Sequence, residues 1–171
     1  MIGEPPTTTG RRPASADARI LAGTLLAVAG LIHLKATVDH AGEYWLFAVL
    51  FGVVACAQLA LAVAMWRAPV PDDVLWAAAV VTIGVVVVWL ASRCTGLPIG
   101  PRAGHTERFG VSDVFATMIE LVFLAVVCLL VRPDGRVGRH LGWLSGGHAV
   151  RLGIALASAG ILAAAFGGHM H

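Results

Sequence analysis

The fold is decided by long apolar stretches, and the clearest of them is residues 74–92, VLWAAAVVTIGVVVVWLAS. Within this stretch, the residues from Val85 to Leu90 are all aliphatic or aromatic. An α-helix rises about 1.5 Å per residue, so about 20 mainly apolar residues are needed to cross the hydrocarbon core of a bilayer. The stretch therefore predicts a transmembrane helix.

Four other stretches meet the same requirement for length and apolar content. The predicted spans are residues 20–36, 44–66, 74–92, 113–131 and 149–166. They define an all-α fold, a polytopic membrane bundle of five transmembrane helices. The fifth span is built largely of alanine and glycine, so the alternative is a bundle of four helices with the fifth segment lying on the membrane surface.

The composition agrees with a membrane protein. The 171 residues are 58% hydrophobic and 13% charged, whereas an ordinary soluble domain is about 25% charged. A soluble chain of this size has too little interior to bury so much apolar surface. The expected partner is the lipid bilayer, and the expected location is a bacterial inner membrane. The formal net charge of +2 gives no indication of nucleic-acid binding.

Basic residues in the connections predict the orientation, because they collect on the cytoplasmic side. With the N-terminus inside, eight basic residues are cytoplasmic: Arg11, Arg12, Arg19, Arg67, Arg132, Arg136, Arg139 and Arg151. Four are then outside: Lys35, Arg93, Arg102 and Arg108. The prediction is a disordered cytoplasmic tail over residues 1–18, a bundle over residues 19–168 and an extracytoplasmic tail over residues 169–171.

Glu120 is the strongest candidate for a functional residue, because a titratable side chain inside a membrane span is costly. Asp113, Thr117 and Glu120 are spaced i, i+4 and i+7, so they share one face of the fourth span. A structural hydrogen bond from Glu120 to a neighbouring helix is the competing interpretation. An ion pair of Arg93 with Asp113 or Glu120 is another, because it balances the charge without any ligand.

Histidines on the outer side suggest metal binding. His33, His40 and Glu43 are spaced i, i+7 and i+10, and they share a face if the first helix continues past the predicted interface. Imidazole and carboxylate are common ligands of zinc, copper and iron. The predicted metal ligands are His33, His40, Glu43, His105, Asp113 and Glu120. The histidine- and methionine-containing end, Gly167–His171, is a further copper-binding candidate.

These residues lead to three functional hypotheses. The first is a pocket, lined by histidine and carboxylate and open to the outer face, that binds or handles copper or zinc, with Arg93 tuning the charge. The second is a non-catalytic accessory or assembly subunit, bound to a second copy or to other membrane subunits through the small residues of the fifth span. The third is a proton-coupled small-solute carrier that uses Glu120. No catalytic motif favours an enzyme.

Overall fold

The computed structural model describes residues 16–131 and Ala155, and this part of the chain contains four α-helices. They are α1 (Ala16–Ala41), α2 (Trp45–Arg67), α3 (Asp72–Cys94) and α4 (Val111–Val131). All four are long and apolar enough to cross a membrane. The first four predicted spans are therefore confirmed as helices. The fifth, at residues 149–166, lies outside the described residues apart from Ala155.

The helix ends follow from local sequence. Pro69 and Pro71 separate α2 from α3, since proline lacks the amide hydrogen that a continuing helix needs. Asp72 and Asp73 occupy the first turn of α3, where negative charge is favourable to the helix dipole. Helix α1 continues five residues beyond its predicted end at residue 36 and stops at Ala41, immediately before Gly42.

Helix α1 is the centre of the bundle. It packs against α2 and α4, and α3 packs against α4. Leu21, Leu25 and Leu26 of α1 are almost completely buried, together with Met65 of α2 and Phe123 of α4. These side chains form one continuous apolar core.

The outer faces of the helices are also apolar. Large side chains such as Val53, Val80 and Val87 are more than half exposed on the surface of the bundle. Soluble monomers rarely expose contiguous apolar surface on this scale. The exposed faces therefore match a bundle surrounded by lipid, which supports a multi-pass membrane protein.

The connection between α3 and α4 folds back over one end of the bundle. The amide of Glu107 donates a hydrogen bond to the carbonyl oxygen of Ser92 at 3.0 Å, and that of Gly104 donates to Leu97 at 2.8 Å. Gly96 has a φ of +75°, and a Cβ atom there would lie 2.7 Å from the backbone of Gly104. Glycine is therefore required for this turn, which brings residues 105–107 to the α1–α2 turn.

Candidate functional site

Two polar clusters and a cleft lie toward the end of the bundle where α1 meets α2 and α3 meets α4. We call this the cleft end. The deeper cluster, the buried triad, consists of His33 of α1, Gln58 of α2 and Glu120 of α4, which are 5%, 6% and 2% exposed. Glu120 lies nine residues after the start of α4, about 14 Å along the helix axis.

Hydrogen bonds connect the three side chains of the buried triad. The Gln58 Oε1 atom accepts from Nδ1 of His33 at 2.9 Å, because an amide oxygen cannot donate. The Gln58 amide nitrogen donates to Oε1 of Glu120 at 3.2 Å. Gln58 therefore joins three helices. The bond from Gln58 links Glu120 to the neighbouring helix α2, with Glu120 as the acceptor.

The second cluster, the arginine clamp, lies closer to the surface and consists of Arg93, Glu107 and Asp113. The Arg93 guanidinium donates through Nη1 to Glu107 and through Nη2 to Asp113, at 2.5 Å in each case. Nη1 also donates to the Ser92 hydroxyl at 2.8 Å. The Arg93 side chain is 7% exposed, against 32% for Glu107 and 40% for Asp113.

The arginine clamp resolves the alternatives for Arg93. Of the two carboxylates considered for an ion pair, Arg93 contacts Asp113 and not Glu120. Glu107 is the second acceptor, and sequence reasoning did not assign it to Arg93. The sequence indicates this contact only weakly, because the contact depends on how the glycine-rich connection folds back over α3.

The cleft has a volume of about 370 Å³ and is lined from two parts of the chain that are far apart in sequence. The α1–α2 region contributes His40, Glu43, Tyr44 and Phe47; the α3–α4 connection contributes Leu97, Ile99, Pro101, Arg102, His105 and Glu107. Its polar lining therefore includes two imidazoles and two carboxylates. The His40 ring contacts Oε2 of Glu43 at 3.3 Å.

Phe51 of α2 connects the cleft with the buried triad. Its ring stacks on His33, with centroids 5.8 Å apart and planes at 15°, and on His40, at 5.3 Å and 18°. The two histidines are seven residues apart on α1, about 10 Å along the axis. The Phe51 ring therefore lies between them. Sequence reasoning missed this residue, although Phe51 and Gln58 share the i, i+7 spacing of His33 and His40.

The six predicted metal ligands are divided among three places. His33 and Glu120 belong to the buried triad, Asp113 to the arginine clamp, and His40, Glu43 and His105 to the cleft. Within residues 16–131, no group of three or more histidine, cysteine, aspartate and glutamate side chains is arranged to hold a metal ion. The metal site stays a prediction.

Comparison with known proteins does not identify a family. No protein-family model, no curated protein and no solved structure matches this chain.

Proposed function

We propose that the protein is a multi-pass membrane protein whose cleft binds a cation, with a transition-metal ion of the copper or zinc type as the first candidate. The observation that carries the proposal is the composition of the cleft. Two segments about 60 residues apart each contribute one histidine and one glutamate to it: His40 with Glu43, and His105 with Glu107.

The charge of the cleft lining favours a cation. Glu43 and Glu107 carry two negative charges, and Arg102 carries one positive charge. Glu107 is also bound by the arginine clamp, in which the charges of Arg93 and Asp113 cancel, so the cleft and the clamp together have one excess negative charge with neutral imidazoles. Tyr44 and Phe47 add aromatic faces, which also attract cations. Metal ligation requires His40, Glu43 and His105 to move toward a common ion. His40 lies at a helix end, Glu43 in a turn and His105 in a loop.

The orientation predicted from basic residues places the cleft on the extracytoplasmic side. With the N-terminus of α1 in the cytoplasm, the C-terminal end of α1 and the connection between α3 and α4 face outward. An ion from the outer compartment then reaches the cleft without crossing the membrane. This orientation is part of the proposal.

Metal titration of the full chain in lipid nanodiscs tests the proposal. We expect about one Cu(II) or Zn(II) ion per chain to bind in the cleft. The His40→Ala and His105→Ala variants should each weaken binding at least about tenfold, the equivalent of roughly 1.4 kcal/mol. The Asp39→Asn variant is the matched control, because Asp39 is near His40 but pairs with Lys35.

A second control separates the cleft from the histidine-containing end of the chain. The His169→Ala/His171→Ala double variant removes the imidazoles of residues 167–171. Binding that survives in this variant but falls in His40→Ala supports the cleft. Binding that is unaffected by both cleft substitutions, or no binding by the unmodified chain, contradicts the proposal.

A proton-coupled small-solute carrier is the second candidate, and the size of the cleft favours it. A volume of about 370 Å³ exceeds that of a single ion, and Leu97, Ile99 and Pro101 give the cleft an apolar wall. Small-molecule sites combine apolar walls with a few polar groups in this way. Such a carrier also needs a group that gains and loses a proton within the membrane, and Glu120 is a buried carboxyl group below the cleft.

A further inference from the structure

Two acceptor atoms face each other inside the buried triad. The hydrogen bond from His33 Nδ1 to the amide oxygen of Gln58 places the ring hydrogen on Nδ1. In a neutral imidazole, Nε2 then carries a lone pair. This Nε2 lies 3.7 Å from Oε1 of Glu120, which is beyond hydrogen-bond distance. If one proton is added, either Nε2 of His33 or the Glu120 oxygen carries it and becomes a hydrogen-bond donor toward the other atom.

The charge balance of the triad also requires a proton. An ionised Glu120 beside a neutral His33 is one uncompensated negative charge, and its carboxylate is 2% exposed. The neutral amide of Gln58 is its hydrogen-bond donor. Burying an unpaired charge costs several kcal/mol. One proton makes the pair formally neutral, whether it sits on the carboxyl group or forms an imidazolium–carboxylate pair.

The other charged groups near the triad are already committed. On α4, Asp113 lies seven residues before Glu120 and is bound by the α3 guanidinium of Arg93. Arg93 also holds Glu107 of the α3–α4 connection. On α1, Lys35 pairs with Asp39 at 2.6 Å, and His40 contacts Glu43. On α2, Gln58 is uncharged. No basic group of these clusters is therefore left to balance Glu120.

We propose that His33 and Glu120 form a binding site for one proton inside the membrane, and that the Phe51 ring separates this site from the cleft. A proton from cleft water reaches His33 or Glu120 when the Phe51 ring moves, and it returns by the same route. No other bond forms or breaks. The inference deepens the carrier function, since it names the proton site, and it does not depend on metal binding by the cleft.

Infrared spectroscopy of the full chain in nanodiscs tests the proton site. At neutral pH we expect a carbonyl band of a protonated carboxyl group that is absent in Glu120→Gln and retained in Glu43→Gln, the cleft control. His33→Phe should shift this band, because the carboxyl group loses the facing imidazole. The absence of a Glu120-dependent band, together with a neutral His33 imidazole, overturns the proton site. A band whose frequency is unchanged in His33→Phe also overturns it.

Hydrogen–deuterium exchange of the same band tests the route. Phe51→Ala should speed exchange about tenfold, whereas Phe47→Ala, which changes the cleft wall alone, should leave the rate unchanged. Phe51→Leu keeps most of the apolar volume. An intermediate exchange rate in this variant shows that the faster exchange in Phe51→Ala comes from easier access to the site and not from loss of folding. Equal rates in the Phe51 and Phe47 variants overturn the route. A normal band in a chain that binds no cation contradicts the cleft function and leaves the proton site standing.

Discussion

The two carboxylates of α4 have different surroundings although they are seven residues apart. Asp113, in the first turn, receives a guanidinium hydrogen bond from Arg93 and is 40% exposed. Glu120, more deeply placed, meets an amide and an imidazole and is 2% exposed. The first charge is balanced by a permanent cation, so the arginine clamp suits a structural role. The second has no permanent cation beside it, which is the basis of the proton site that we propose for the buried triad.

The largest stability effect is expected from breaking the arginine clamp. Arg93→Ala leaves Glu107 and Asp113 without their shared donor, and it removes the link between α3, α4 and their connection. We expect a loss of about 3 kcal/mol in the free energy of unfolding, because the substitution removes a guanidinium that is 7% exposed and binds two carboxylates at once. Steric trapping in bicelles measures it. A loss below about 0.5 kcal/mol, the size of an exposed substitution, contradicts a structural clamp.

The next effect concerns the close approach of α1 and α2, which positions the buried triad. A Cβ atom at Gly30 would lie 2.9 Å from Cγ of Leu59 and 3.3 Å from the carbonyl oxygen of Ala55. Gly30→Leu should separate the helices, destabilise the fold by about 2 kcal/mol and disturb Gln58, which is next to Leu59. Gly84→Leu is the control, since a Cβ atom there meets open space. Equal stability in both variants contradicts this packing.

A smaller effect is expected from the centre of the buried triad. Gln58→Leu removes the acceptor of His33 and the donor to Glu120, at a cost of roughly 1–2 kcal/mol. The exposed Cys56→Ala change on the same helix should be nearly neutral. Thermal unfolding in one detergent compares the two. If Gln58→Leu is as stable as Cys56→Ala, the amide does not join the three helices.

The smallest effect is expected from an exposed ion pair on α1. Lys35 and Asp39 are 2.6 Å apart, but their side chains are 35% and 54% exposed. Lys35→Ala should change the free energy of unfolding by less than about 0.5 kcal/mol, because water competes for both charges. A double-mutant cycle with Asp39→Ala gives the coupling directly. A coupling as large as that of Arg93 with Asp113 would remove the distinction between buried and exposed pairs.

Much of the fold follows from the sequence, because the four described helices coincide with long apolar stretches. The rotation of each helix about its own axis does not follow from the sequence, because α2 and α3 are apolar on nearly every side and any apolar face can contact lipid. For this reason, the polar side chain of Gln58 within an apolar span indicates a hydrogen bond, but the sequence does not identify His33 and Glu120 as its partners. Thr117 and Glu120 are both buried, as their shared face suggested.

The candidate site was predictable in part. The sequence places the histidines and glutamates near one end of the bundle, because both connections with these residues follow an odd-numbered span. The sequence does not show that the connection between α3 and α4 folds back. For this reason, neither the contact of Glu107 with Arg93 nor the division of the six predicted metal ligands among three places was predicted. The i, i+7 spacing of Phe51 and Gln58 was a usable signal for the aromatic contact between the two histidines.

Solid-state nuclear magnetic resonance of the chain in lipid bilayers tests the central claim most directly, since it reports the ¹³C shift of the Glu120 carboxyl carbon and the ¹⁵N shifts of His33 in one sample. Near neutral pH the account predicts hydrogen on His33 Nδ1 and one further proton shared by His33 Nε2 and the Glu120 carboxyl group. An ionised Glu120 carboxylate beside a neutral imidazole, or a His33 hydrogen on Nε2 with a bare Nδ1, would contradict it.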